Sequence, residues 1–298
     1  MRHVDKIGLS RRHILIAAAI GVATIAAPVI TRATPKARVL PKARVFITGS
    51  SSGLGLLAGQ ALAEQGHRVV LHARNAVRAE QTKSALAACE AVVIGDVATL
   101  AGMRSVAEQV NALGRFDAVI HNVGLGDRLS KRRIETNDGL SQLFAINVVT
   151  PYLLTALIHR PDRLIYLTSS MHNRGDPSLE DLQWETRRWN ETQAYCDSKL
   201  HNVLLALAVA RRWPQVLSNA VDPGWVPTRG GGIFAPGDLA KGASTQAWLA
   251  VSNDDAAQVT GRNFHHQKLQ SMHPAAQRVE VQDRLMHYLA GITGTTIT

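Results

Sequence analysis

Val45-Phe46-Ile47-Thr48-Gly49-Ser50-Ser51-Ser52-Gly53-Leu54-Gly55 decides how this chain is read. A short β-prone run, 45–48, passes through a glycine-rich turn into a stretch with helical character, 54–65. Glycines at such a turn let the backbone bend sharply and approach a pyrophosphate, whose charge then sits on the helix N-terminus. The candidate contacts are Gly49, Ser51, Ser52, Gly53, Leu54 and Gly55. The spacing is Gly-x-x-x-Gly-x-Gly, and no lysine follows it as in a Walker loop. A tight turn with no ligand is the alternative that the rest of the chain must decide.

Outward from the loop the pattern alternates. Further β-rich runs stand at 68–72, 91–94, 117–121, 163–168 and 216–221, with a closing one near 263–266. Helical stretches at 76–88, 100–113, 140–158 and 194–212 lie between them. Strand and helix in turn imply right-handed crossovers and a parallel sheet, and the apolar strands imply cover on both faces. The expected fold is α/β: one doubly wound Rossmann-type domain over 44–291 with about seven strands. Residues 292–298 are expected as a flexible tail and 35–43 as a linker.

The 298 residues carry a formal net charge of +10. Residues 1–44 hold nine Lys/Arg and one acid, Asp5, so +8 of that charge belongs to the leader. No basic stripe with interleaved aromatics follows, which speaks against a nucleic-acid partner. Within 1–34, Arg11-Arg12 precede a modest apolar run from Ile14 to Ile30, as in a twin-arginine export signal. An uncleaved membrane anchor and a non-native extension from an upstream start codon remain alternatives, the latter leaving the protein cytoplasmic. Cys89 and Cys196 are expected to be free thiols.

The second strand ends in His72-Ala73-Arg74-Asn75, where a NAD-selective site would carry a carboxylate. Arg74 offers a planar fork suited to a 2′-phosphate, so NADP(H) is expected over NAD(H). Asp96, with Val97 beside it, ends the third strand within reach of the adenine. Asn122 and Gly124 end the fourth, where the cofactor can lie close to the backbone. Tyr195 and Lys199, four apart, share one helix face. An ammonium beside a phenol favours the phenolate, which suits an acid/base working near neutral pH.

Taken together these residues resemble the short-chain dehydrogenase/reductase family over about residues 43–290. The likeness rests on the glycine loop, His121-Asn122-Val123-Gly124, Asn147, Thr168-Ser169-Ser170, Tyr195-x-x-x-Lys199 and Asp222-Pro223-Gly224-Trp225-Val226-Pro227-Thr228, in that order. Ala194-Tyr195-Cys196-Asp197-Ser198-Lys199-Leu200, then Asn202-Val203-Leu204, look like the retinol-dehydrogenase-like and protochlorophyllide-reductase-like branch. So does the long insert between Ser170 and Tyr195.

The resemblance implies an NADP(H)-dependent oxidoreductase acting on a small, partly apolar carbonyl or alcohol. Tyr195 would exchange the proton, Lys199 would tune it and hold the nicotinamide ribose, and Ser170 (or Ser169) would bind the substrate oxygen. Asn147 would hold a relay water. Pro223, Gly224, Val226 and Thr228 would frame the nicotinamide end. Trp184, Trp189 and Trp225 are candidate pocket walls, with packing of the insert the alternative for the first two. Gly230-Gly231-Gly232 reads as a loop hinge or a plain flexible turn. His265-His266 lack matching ligands, and no metal is expected. The resemblance also implies homo-oligomers. Reduction of a conjugated C=C bond and a non-catalytic NADP(H) sensor or scaffold are the competing functions.

Overall fold

The computed structural model describes residues 42–126, 132–228, 231–232 and 234–298. The expected leader 1–34, most of the expected linker and Gly230 lie outside them. No helix among the described residues is long and apolar enough to cross a membrane.

Eight strands form one sheet: β1 Arg44–Ile47, β2 Arg68–Ala73, β3 Ala91–Ile94, β4 Ala118–His121, β5 Arg163–Leu167, β6 Leu217–Asp222, β7 Asn263–His265 and β8 Lys268–Gln270. Their order is β3-β2-β1-β4-β5-β6-β7-β8, parallel throughout except the antiparallel β7–β8 hairpin. The fold is thus Rossmann-like. The strand order reverses between β1 and β4, and such a switch point opens the crevice where ligands of open α/β sheets bind.

The helices are α1 Gly53–Glu64, α2 Ala76–Ala85, α3 Leu100–Ala112, α4 Gln142–Phe144, α5 Thr150–Leu157, α6 Glu191–Arg212, α7 Leu239–Val251 and α8 Val279–Thr293. A π-helical turn, Ala145–Val149, joins α4 to α5, and a 3₁₀ turn, Ser170–Arg174, follows β5. Alternate strand residues feed two cores. Val45, Ile47, Val69, Leu71, Ile120 and Ile165 face one side, with residues of α1 and α7. Phe46, Val70, Val119, Leu164 and Tyr166 face the other, with α3, α5, α6 and α8. Burial on both faces explains why the strands read as near-continuous apolar runs.

Two expectations are corrected, the flexible tail 292–298 and Ala43 as linker, while the expected sheet of about seven strands gains a short eighth, Lys268-Leu269-Gln270, which is exposed throughout and carries no apolar run to announce it. Its hairpin turn is made by His266 and Gln267 at φ 47° and 62°, without glycine. The tail is packed: Ile297 is buried, Tyr152 donates to the Thr295 carbonyl at 2.7 Å, and Trp213 Nε1 donates to Thr298 at 2.6 Å. Ala43, expected as linker, is buried, and its carbonyl accepts from the Arg68 N–H at 2.9 Å.

Candidate active site

The glycine loop leaves β1 at the switch point and is tied down on both sides. Towards β4, Thr48 Oγ1 accepts from the N–H groups of Asn122 and Val123 at 3.0 Å each. Asn122 Nδ2 donates to the carbonyls of Thr48 and Gly49, both at 3.0 Å. Towards β2, Ser50 Oγ donates to Ile47 and accepts from the His72 N–H, both at 2.8 Å. The Gly49 N–H donates to His72 Nδ1 at 3.0 Å. Gly49 and Gly53 sit at φ 60°, which glycine adopts without steric cost. A Cβ on Gly49 would lie 2.8 Å from Val123 Cα, so the loop presses on the β4 end.

This loop suits a pyrophosphate. Ser52 is the N-cap of α1, yet its side chain makes no capping bond, which leaves the first N–H groups of the helix turned outward. A Cβ on Gly53 would meet only Thr228 Cγ2, at 3.7 Å. Thr228 therefore lies across the loop. Pro223 and Val226 approach from the same direction, both 3.0 Å from a Cβ built on Gly242 of α7 beside Leu54.

Arg74 is exposed at the end of β2 and makes no hydrogen bond or ion pair among the described residues. Asp96 follows β3 and accepts from the Ala98 N–H at 3.0 Å. Val97 is buried, and its carbonyl accepts from Thr150 Oγ1 at 2.9 Å.

At the other end of the site, α6 carries Tyr195 half-buried and Lys199 5 % exposed. Lys199 Nζ lies 5.4 Å from the centroid of the Tyr195 ring and donates to the Leu167 carbonyl at 3.1 Å. Burial pulls the ammonium down to about 8, with Asp222 opposing the fall. A Cβ on Gly124 would lie 3.4 Å from Lys199 Nζ and 3.5 Å from Asn147 Oδ1, so these three residues meet. The end of β5 is fastened there too, through Thr168 Oγ1 to the Lys199 carbonyl at 2.7 Å.

Asn147 lies in the π-helical turn, fully buried, and its side chain is spent inside the protein. Oδ1 accepts from the Leu125 N–H at 2.7 Å. Nδ2 donates to the Leu125 carbonyl at 3.1 Å and to Ser198 Oγ at 3.0 Å, and Ser198 in turn donates to the Tyr195 carbonyl at 2.8 Å. The amide thus binds the segment following Gly124 to the helix of Tyr195. Asn122, likewise, spends its amide on the loop.

Ser169 caps the 3₁₀ turn, its hydroxyl accepting from the Met171 N–H at 3.3 Å. Ser170 is exposed, and its hydroxyl has no partner among the described residues. Trp184 is buried, edge-on to Trp189 at 5.8 Å, with the Arg187 guanidinium 3.9 Å above its ring. This pair packs the insert. Trp225 is half exposed, its Nε1 donating to the Gly231 carbonyl at 2.7 Å, and Phe234 is exposed. His265 and His266 stack at 3.8 Å, and His265 Nδ1 meets the Asp222 carbonyl at 3.0 Å. No group of three or more metal-capable side chains occurs among the described residues.

The sequence alone assigns no individual role to His72, Ser198 and Asp222. The first is a polar residue inside an apolar strand, a signal that was present. The others show their roles only once α6 and β6 are side by side.

The profile of the short chain dehydrogenase family matches residues 43–163. An uncharacterised oxidoreductase of Emericella nidulans is 40% identical over 257 residues, 85% of this chain and 98% of that protein. A Streptomyces protein named as a daunorubicin C-13 ketoreductase is 33% identical, covering 72% of this chain and 79% of its own length. Human retinol dehydrogenase 13 is 28% identical over 88% of both chains. Among solved structures, a Mycobacterium paratuberculosis protein superposes with a TM-score of 0.75 at 23% identity, over 89% of this chain and 97% of its own. A metagenomic blue fluorescent protein in complex with NADPH gives 0.61 at 22%, over 76% and 97%. The chain belongs to the short-chain dehydrogenase/reductase family, in its retinol-dehydrogenase-like branch, and is an oxidoreductase.

Proposed function

We propose that the protein is an NADP(H)-dependent carbonyl reductase, reversible as an alcohol dehydrogenase. The observation that carries this reading is a buried Lys199 ammonium 5.4 Å from the Tyr195 ring, beside Gly124 and Asn147. The bound nicotinamide supplies the hydride in reduction and accepts it in oxidation. Tyr195 gives its phenolic proton to the carbonyl oxygen, and the exposed Ser170 hydroxyl donates to the same oxygen as charge develops there. Lys199 stands as the cation beside the phenol.

Arg74, exposed just after β2 and without a partner among the described residues, supports NADP(H) over NAD(H). The NADPH of the blue fluorescent protein supports the same cofactor, and the ketoreductase name of the Streptomyces relative supports a carbonyl substrate. NADPH consumption across a panel of ketones and aldehydes, with product analysis, tests the reading. Tyr195→Phe is expected to lose about 10²- to 10⁴-fold in kcat while still binding NADPH. Near-wild-type turnover would overturn Tyr195 as the acid. Binding without turnover on any substrate would favour the sensor, and saturation of a double bond would favour the C=C reductase. Arg74→Ala should raise KM for NADPH about 10-fold and leave that for NADH unchanged; equal effects on both would remove the 2′-phosphate role.

A further inference from the structure

One buried side chain touches both segments that would hold the adenine half of a dinucleotide. His72 lies near the end of β2, 2 % exposed, in a strand whose neighbours are apolar. Its Nδ1 is 3.0 Å from the Gly49 nitrogen, whose N–H it accepts. Its Nε2 is 2.9 Å from the Gly95 carbonyl, which can only accept. Those two partners fix the tautomer: the proton sits on Nε2, and the ring is neutral. Burial also pushes the imidazole below its ordinary pKa, against smaller contributions from the Gly95 carbonyl and the Asp96 carboxylate.

The main chain of the same residue is engaged as well. The His72 N–H donates to Ser50 Oγ at 2.8 Å, and its carbonyl accepts from the Ser50 N–H at 3.2 Å. His72 therefore grips Gly49 and Ser50 of the glycine loop by three bonds. Through its ring it also spans to Gly95, one residue before Asp96. Gly95 is closely packed, since a Cβ there would lie 2.5 Å from Val106 Cγ2, and its own N–H donates to the Ala73 carbonyl at 3.0 Å.

We infer that His72 is a positioning residue for the dinucleotide, holding the pyrophosphate loop at a fixed distance from the adenine-side segment at Asp96. This rests on dinucleotide binding by the glycine loop. It assigns to a side chain that does not touch the cofactor the spacing between two places that do. Preorganised spacing lowers the ordering cost of binding, so its loss appears in affinity rather than in the chemical step.

Two near-isosteric variants separate the two bonds. Asn at 72 can place Oδ1 where Nδ1 was and keep the Gly49 bond, but it cannot reach Gly95. Gln can place an N–H donor at the Nε2 position and keep the Gly95 bond, but it presents no acceptor to Gly49. The experiment titrates NADPH into the full chain, reading nicotinamide fluorescence, for wild type, His72→Asn, His72→Gln and His72→Leu. Steady-state KM for NADPH, kcat and thermal unfolding are measured alongside. His72→Leu is expected to weaken NADPH about 10-fold or more, with kcat at saturating NADPH within about twofold of wild type. Each single-bond variant should fall between the two. Nitrogen-15 spectra of the wild-type imidazole should show a protonated Nε2 and a bare Nδ1 at pH 7.

Wild-type NADPH affinity in all three variants would overturn the inference, as would a bare Nε2 in the wild type. A fall in kcat matching the fall in affinity would also overturn it, because a general loosening of the fold moves both. If His72→Leu does not fold, the Asn and Gln variants decide alone by the same criterion. Wild type binding neither NADPH nor NADH would defeat the dinucleotide reading and this inference together. Wild type binding well beside variants that bind equally well defeats the inference only.

Discussion

Residues 48–55, 72–75, 95–97 and 122–124 form one half of the candidate site; the insert 175–190 and the described residues of the loop after β6 border the other. In the first half, backbone is held by backbone and by short polar side chains from three neighbouring strand ends. Thr48, Ser50, His72 and Asn122 each make two or more bonds that fasten the glycine loop. In the second half the insert is gathered by side chains, chiefly by one cation. Arg187 reaches Asp176 at 3.4 Å, Asp181 at 3.6 Å and Asp197 at 3.2 Å, and stacks on Trp184. The loop beyond β6 exposes Trp225 and Phe234. A half built from sheet ends has little freedom, which suits an invariant diphosphate. A half gathered by side chains can be rebuilt residue by residue, which suits a variable substrate.

The sharpest way to break the comparison is to overfill the rigid half. A Cβ on Gly55 would lie 2.5 Å from Asn122 Nδ2, 2.8 Å from the Gly49 carbonyl and 2.9 Å from Ser50 Cα. Two of these three atoms are main chain, and the third is already bonded to the loop. Gly55→Ala should therefore cost about 3 kcal/mol, and NADPH affinity should fall about 100-fold if the strain is carried by the loop. NADPH titration and thermal unfolding check this. A variant that binds NADPH as wild type does would mean that the loop can give, contrary to the contrast drawn above.

The same contrast explains what could be read from the chain alone. The rigid half is local in sequence: strand, glycine turn and helix follow one another in residues 45–55, so its geometry is written in one stretch. Arg74 and the pair Tyr195–Lys199 were legible for the same reason, being a strand end and a helix face. Asn147 was found but its side-chain role was not, since that depends on Leu125 and Ser198, which only the folded chain brings to it. His72 was visible as an odd residue in an apolar run, yet its two partners lie 23 residues away on either side. The hairpin strand β8 and the packed tail left no periodic signal: one is three exposed residues, and the other is held mainly by its carbonyls.

Lys199 stands where the halves meet, near Gly124 on one side and Tyr195 on the other. Its fall from 10.5 to about 8 means that folding disfavours the charged form. Between about pH 8 and 10.5 the unfolded chain binds more protons at this group than the folded one, so its contribution to stability rises with pH across that window. Below pH 8 the group costs roughly 3 kcal/mol, less about 1 kcal/mol returned by its bond to the Leu167 carbonyl. Lys199→Met should abolish activity, yet stabilise the fold by about 2 kcal/mol at pH 7 and flatten the rise above pH 8. Chemical denaturation at pH 7, 9 and 10.5 reads this; a destabilised variant with an unchanged pH slope would show that the ammonium is held without strain.

The smallest expected effect falls on the adaptable half. Arg187 is about one-third exposed, whereas Asp197 is 5 % exposed, lies between Tyr195 and Lys199 on α6, and has its carboxyl pushed up by burial. Arg187→Met keeps much of the stacking volume over Trp184 and removes the cation from three carboxylates. The solvent-screened cost should be about 1 kcal/mol. Because Asp197 also accepts from the Asp176 N–H at 2.9 Å and from Gln193 Nε2 at 2.8 Å, α6 retains part of its hold on the insert. The variant should therefore raise substrate KM several-fold, speed proteolysis within 175–190, and leave NADPH affinity within about twofold. A parallel loss of NADPH affinity would mean that the insert's charge cluster also braces the glycine loop across α6. The two halves would then be one mechanical unit, and substrate specificity could not be altered without disturbing the cofactor.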